Sequence, residues 1–276
     1  MLMKDKIISI FCLIDDMLKM SGHKEDVRRR VSDSEILTTA IVSAMYFHGH
    51  HAHAIAFMRG HGYCPKMLDE SRFSRRIHKV WLLLYGIFDA IGQHLQYFCC
   101  EMNYVVDSFP VPVCDNMRIS RCKILKGEKW RGYTASLRKY FYGVKVQLIV
   151  TASGVPIQFH FVPGKTADVK GMEKMLQKLS PEANIYADSA YTDYGIEDRL
   201  KENAAIFLKT QRKGNSKRPD TKLQVSEKLK MRKRVETTIS DIKKLFPRTI
   251  HAITINGFLL KLICFICVEQ LNHFFN

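Results

Sequence analysis

Tyr104-Val105-Val106-Asp107 and Asn184-Ile185-Tyr186-Ala187-Asp188 are two short β-prone runs, each ending in a carboxylate. In open α/β sheets, ligand-handling side chains gather where strands end and the chain leaves the sheet. Both aspartates are therefore placed for chemistry. Around them, Tyr142 to Val150 and Val155 to Val162 are β-rich and separated by Ser153-Gly154, which predicts a hairpin. Asp168 is expected as the N-cap of a helix over Val169 to Leu179, the alternative being an approach to metal held by the two aspartates. A helix through Glu197 and Leu200, a strand at Ala205 to Leu208 and a basic helix from Gln224 to Phe246 follow. The order β-β-β-α-β-α-β-α predicts an α/β fold with a mixed sheet flanked by helices.

Residues 1–98 read as helix throughout, so the expected division is a helical domain over 1–98 and an α/β domain over 99–276, with the boundary near Cys99 and Cys100. Ile7, Ile10, Phe11, Ile14 and Leu18 have helical spacing within Lys4 to Met20. Ser32 and Glu35 form a capping-box pattern opening a helix toward Phe47. A short helix over Ala52 to Arg59 stops at Gly60 and Gly62. From Ser71, the apolar stripe Phe73, Ile77, Trp81 and Leu84 runs beside Arg72, Arg75, Arg76 and Lys79. Such a helix either lies along a phosphate backbone or is simply a solvated surface. The apolar stretch Phe258 to Phe275 carries Lys261, Glu269 and His273 and reads as a buried helix rather than a membrane span.

The composition narrows the partners. Among 276 residues, 43 Lys and Arg against 27 Asp and Glu give a net charge of +16, which suits a polyanion, either nucleic acid or an acidic membrane surface. The cysteines fall mostly inside apolar runs and the N-terminus lacks a secretory pattern, so a cytoplasmic location is expected.

Two carboxylates at neighbouring strand ends repel unless a cation lies between them, and hard oxygen ligands select Mg²⁺ or Mn²⁺. Glu236 is the candidate third ligand. It borders the apolar stripe Met231, Val235, Ile239, Ile242 and Phe246, with Arg232 and Lys243 on nearly the same helical azimuth. The expected arrangement is a triad of Asp107, Asp188 and Glu236 holding two ions, with Arg232 and Lys243 on the flanking phosphates. Two ions can activate an attacking oxygen and stabilise a leaving one. Singly, each acid also reads as a turn residue, a cap or a surface ion-pair partner.

Asp107 to Cys114, Tyr186 to Tyr191, and Arg232-Lys233-Arg234-Val235-Glu236-Thr237 resemble the three acidic blocks of bacterial insertion-sequence DDE transposases, and of the insertion-sequence 982 family in particular. Arg131-Gly132-Tyr133, Tyr140 to Lys145, Pro163 to Val169 and Ser71 to His78 are similar too. The resemblance implies a ribonuclease H-like domain that uses the triad to cut double-stranded DNA at terminal inverted repeats and join it to target DNA. It further implies a homodimer on DNA, nucleoid association and no membrane. Arg232, Glu236 and Lys243 fit a wider signature of related DDE transposases, whose usual tyrosine is replaced by Leu229. A nuclease or resolvase using the same triad, and a catalytically idle DNA-binding derivative, are the rival readings.

Charge clusters flank the acids. Residues 209–248 hold fourteen Lys or Arg against four Asp or Glu, and residues 118–145 hold nine against one. Within the latter cluster Trp130 and Arg131 are candidate DNA contacts, and Trp130, Tyr133, Tyr140 and Tyr142 either stack an unpaired base or pack on the sheet. His48, His50, His51, His53, His61 and Cys64 leave a zinc site open against incidental histidines.

Overall fold

The structure is a computed structural model that describes residues 2–98, 101–135, 138–176 and 179–275. Its contacts divide the chain into two compact units, Met1–Ile91 with Ile242–Asn276, and Gly92–Asp241. The expected boundary at Cys99 and Cys100 lies outside the described residues. By contact, the last thirty-five residues belong with the N-terminal helices, a grouping that local sequence pattern does not carry.

In the first unit, α1 (Met3–Met20) buries Ile7, Ile10, Ile14 and Leu18, the helical spacing read from the sequence. The helix α2 (Asp33–Phe47) starts with the expected capping box: the Glu35 amide donates to Ser32 Oγ at 3.1 Å and the Ser32 amide to Glu35 Oε2 at 2.7 Å. Ile36, Leu37, Ala40, Ile41 and Val42 are fully buried, which makes α2 the central rod of this unit. It ends with His48 and Gly49 at positive φ, before α3 (His51–Gly60). Phe73, Ile77, Val80 and Leu84 form the buried face of α4 (Glu70–Phe98). The last helix, α8 (Ile255–Phe274), is long and apolar enough to cross a membrane, yet it packs on α2 and buries Phe258 and most residues from Leu260 to Leu271. It is a core helix.

The second unit holds a six-stranded sheet. Its main path β4-β3-β1-β5-β6 comprises β4 (Pro156–Pro163), β3 (Lys139–Thr151), β1 (Asn103–Cys114), β5 (Asn184–Ala187) and β6 (Phe207–Thr210). The pairings β4·β3 and β3·β1 are antiparallel, whereas β1·β5 and β5·β6 are parallel. Crossover helices α5 (Asp168–Leu176) and α6 (Tyr194–Ala204) lead into β5 and β6. Met172, Leu176, Ile196 and Leu200 pack with Tyr104, Val106, Ile185 and Leu208 of the sheet. This is the ribonuclease H-like arrangement. The short β2 (Arg131–Thr134) continues the β4 edge of β3, pairing with Lys139 to Tyr142.

The strand β1 runs on through Pro110 and Pro112. Proline lacks an amide donor, so it is tolerated where one edge of a strand is open. The parallel neighbour β5 pairs only with Asn103 to Val106, and beyond Asp107 that edge carries no described strand. The helix α7 (Lys222–Leu245) is fastened to the sheet by Lys228 Nζ to the Thr210 carbonyl at 2.8 Å and Thr238 Oγ1 to the Gly154 carbonyl at 2.7 Å.

Candidate active site

The parallel register pairs Val106 with Ala187, so Asp107 and Asp188 follow at adjacent places on neighbouring strands. Neighbouring strands lie about 4.8 Å apart, which brings the two carboxylates into one crevice. Each is oriented by the next amide: Asp107 Oδ1 accepts from Ser108 at 2.7 Å and Asp188 Oδ1 from Ser189 at 2.6 Å. Glu236 is half exposed and is linked to Asp188 through Arg232, one turn earlier on α7. The Arg232 guanidinium lies 3.2 Å from Asp188 Oδ1, 2.8 Å from Glu236 Oε1 and 3.4 Å from Gln211 Oε1. Asp107, Asp188, Arg232 and Lys228 line one cleft.

A fourth carboxylate joins them. Asp168 opens α5, but its Oδ1 accepts from Ser108 Oγ at 2.7 Å and Lys145 Nζ at 2.9 Å, so the expected capping role gives way to a place beside Asp107. Gly171 makes this approach possible: a Cβ there would lie 1.9 Å from Gln147 Oε1 on β3. The Gln147 amide in turn donates to the Asp168 carbonyl at 2.5 Å. Sequence reading weighed Asp168 as a cap because the carboxylate's partners, Ser108 and Lys145, are sixty and twenty-three residues away.

The electrostatics follow from burial and crowding. The Asp107 carboxyl is pushed up to about 6, first by burial and then by Asp188 and Asp168, against the opposing pull of the Ser108 amide and Arg232. Tyr191 is fully buried, and burial together with the charges of Asp168, Asp107 and Asp188 holds its phenol well above the usual range. Four carboxylates thus share Arg232 and Lys145 as their paired cations among the described residues. That is a deficit of positive charge in a partly desolvated crevice, and its donors are all hard oxygens. Such a set fits Mg²⁺ or Mn²⁺ better than Zn²⁺, which takes nitrogen and sulfur.

The expected phosphate contacts sort differently. Arg232 is paired with two carboxylates while its side chain stays 40% exposed. Lys243 lies in the last turn of α7, within the helical unit. On α4, Arg72, Arg75 and Lys79 are exposed, Arg72 beside Asp69 at 3.3 Å. Arg76 is not part of that surface: it is 14% exposed and its Nε donates to the buried Asp33 at 2.8 Å, with Glu25 3.6 Å away. Trp130 is half-buried under Lys129, and Arg131 lies over the Tyr140 ring at 5.2 Å.

The histidine cluster does not form a metal site among the described residues. His50 stacks on His53, His51 meets the edge of Phe73, and His61 packs on Phe57. Cys64 is buried and its thiol is pushed to about 12 by burial and by Glu35.

No curated protein matches the chain. Among solved structures, the piggyBac transposase synaptic complex with hairpin DNA is similar, with a TM-score of 0.47 and 13% identity over 98% of this chain and 72% of that one. The family described as the transposase DDE domain matches residues 100–268, a stretch that contains Asp107, Asp168, Asp188 and Glu236. With more than half of its length so matched, the chain belongs to the transposase DDE domain family.

Proposed function

We propose that the protein is the transposase of a bacterial insertion sequence of the 982 type, and that Asp107, Asp188 and Glu236 are its catalytic, metal-holding triad. The single observation that carries this reading is the adjacency of Asp107 and Asp188 on neighbouring strands, with Arg232 bridging Asp188 to Glu236 and too little positive charge to balance the acids. Two Mg²⁺ or Mn²⁺ ions bound there supply Lewis-acid stabilisation of the attacking and leaving oxygens of a phosphodiester. The chain's own groups set this up. The strand register fixes Asp107 beside Asp188, Arg232 holds Asp188 and Glu236 together, and Lys145 offsets part of the charge of Asp168.

In this reading the helical domain over 1–98 binds DNA through Arg72, Arg75 and Lys79, with Trp130, Arg131 and Lys243 as further contacts. Terminal inverted repeats and target DNA are the substrates, a homodimer bridges two ends, and the protein works in the cytoplasm on the nucleoid. The test is incubation of labelled element-end DNA with Mg²⁺ and either the wild type or Asp188→Ala. Joined product that disappears in the variant supports the transposase. Cleavage without joining identifies a nuclease or resolvase, and no reaction identifies an idle DNA-binding derivative.

A further inference from the structure

We propose that the β2–β3 ribbon, Arg131–Thr134 paired with Lys139–Tyr142, is an arm that seats in a groove of duplex DNA away from the site of cleavage. The inference rests on the reading of the chain as a DNA-cutting enzyme.

The arm is defined by the pairing. The last partner of β1 on β3 is Tyr142, opposite Cys114, and the last partner of β4 is Val144. Lys139, Tyr140 and Phe141 pair with β2 alone, giving a two-stranded extension of the sheet. Asn116 Nδ2 donates to the Tyr140 carbonyl at 2.8 Å and braces it.

Its two faces differ. On one, Gly132 lies against the Gly164 carbonyl and the Phe141 ring, where a Cβ would be 2.4 Å from each. The other presents Arg131, Tyr133 and Tyr140, with the tyrosines 52% and 54% exposed. Residues 129–145 contain five cations, Lys129, Arg131, Arg138, Lys139 and Lys145, and no acid. Only Lys145 is paired with a carboxylate among the described residues. An exposed aromatic and cationic face on an acid-free ribbon is complementary to a phosphate-lined surface.

The rings decide between duplex and single strand. Tyr133 and Tyr140 sit 4.9 Å apart, tilted 56° to each other, and Arg131 covers Tyr140. Each ring already has a neighbour, so the pair is a poor stacking platform for unpaired bases. A two-stranded ribbon, in contrast, fits a major groove roughly 12 Å wide. Cys114 is seven residues along β1 from Asp107, or about 23 Å at roughly 3.3 Å per residue. The arm therefore begins well away from the acidic centre.

The experiment measures binding of the full chain to a labelled mixed-sequence duplex several turns long, and to its separated strands, by fluorescence anisotropy across a salt series. Arg131→Ala with Lys139→Ala is expected to reduce the slope of log Kd against log salt by about two. Tyr133→Ala with Tyr140→Ala is expected to weaken duplex binding about fivefold or more at unchanged slope. Circular dichroism confirms that both variants are folded. If the wild type binds duplex and both pairs of substitutions leave Kd and slope unaltered, the arm is wrong and the acidic-centre reading stands. Losses confined to the single strands also overturn it, in favour of base stacking. A wild type that binds no DNA removes both the arm and the proposed function.

Discussion

Among the described residues, the carboxylate–arginine cluster of the helical unit and the one formed around Arg232 in the sheet unit differ in charge balance. In the helical unit, Asp33 is 1% exposed and is held by Arg76, by Arg29 at 3.1 Å and by His23 at 2.9 Å, with Glu25 nearby. Two acids there meet two arginines and a histidine. In the sheet unit, Asp107, Asp168, Asp188 and Glu236 meet Arg232 and Lys145. The four carboxylates of the sheet unit do not bring three ligand atoms close enough to one another to share an ion, whereas His23, Glu25 and Asp33 do. Their oxygens, however, are already taken by guanidinium groups. Charge balance marks the first cluster as a clamp between α2 and α4, and charge deficit is what supports the proposed cation site at the second.

The contrast can be broken by substitution. Asp188→Ala is expected to lower strand cleavage by at least about 10²- to 10³-fold, the scale of removing one group that stabilises transition-state charge, with folding intact by circular dichroism. Asp33→Ala is expected to do the reverse. It leaves the largely buried Arg76 without its main partner, a change that costs about 3–5 kcal/mol in comparable buried pairs. Urea denaturation measures that loss, and unchanged stability would break the clamp assignment.

A smaller effect sharpens the picture of the acidic centre. The folded Asp107 carboxyl titrates near 6, whereas an unfolded one titrates near ~3.9. The folded state therefore binds this proton more tightly, and the associated stability is full below pH ~4 and is lost as pH rises through 6. Asp107→Asn, which cannot ionise, is expected to stabilise the metal-free protein at pH 7 by on the order of 2 kcal/mol. The gain should vanish near pH ~4. Denaturation in chelator at the two pH values checks it, and equal shifts at both would contradict the desolvation account.

What could be read from the sequence was local. The Ser32-Glu35 capping box, the turn at Ser153-Gly154 and the buried character of α8 each depend on neighbours a few residues away, and each is present. Asp188 directly follows the end of β5, as its β-prone run predicts, whereas β1 continues past Asp107 to Cys114, so Asp107 marks where the pairing with β5 stops and not where its strand ends, and the helical spacing of Arg232 and Glu236 is present in their ion pair. The misreadings involve distant partners. Arg76 looked like one of four similar cations on α4 until Asp33, forty-three residues earlier, is placed against it. Asp168 looked like a cap until Ser108 and Lys145 are in view. The return of residues 242–276 to the N-terminal helices is a packing outcome with no local signature.

The most direct test of the central claim is anomalous diffraction from crystals of the full chain grown with Mn²⁺. The account predicts a peak coordinated by Asp107, Asp188 and Glu236, with Arg232 displaced from at least one of its carboxylates. Manganese bound at His23, Glu25 and Asp33 instead, or the three acids too far apart to share ions, would contradict it.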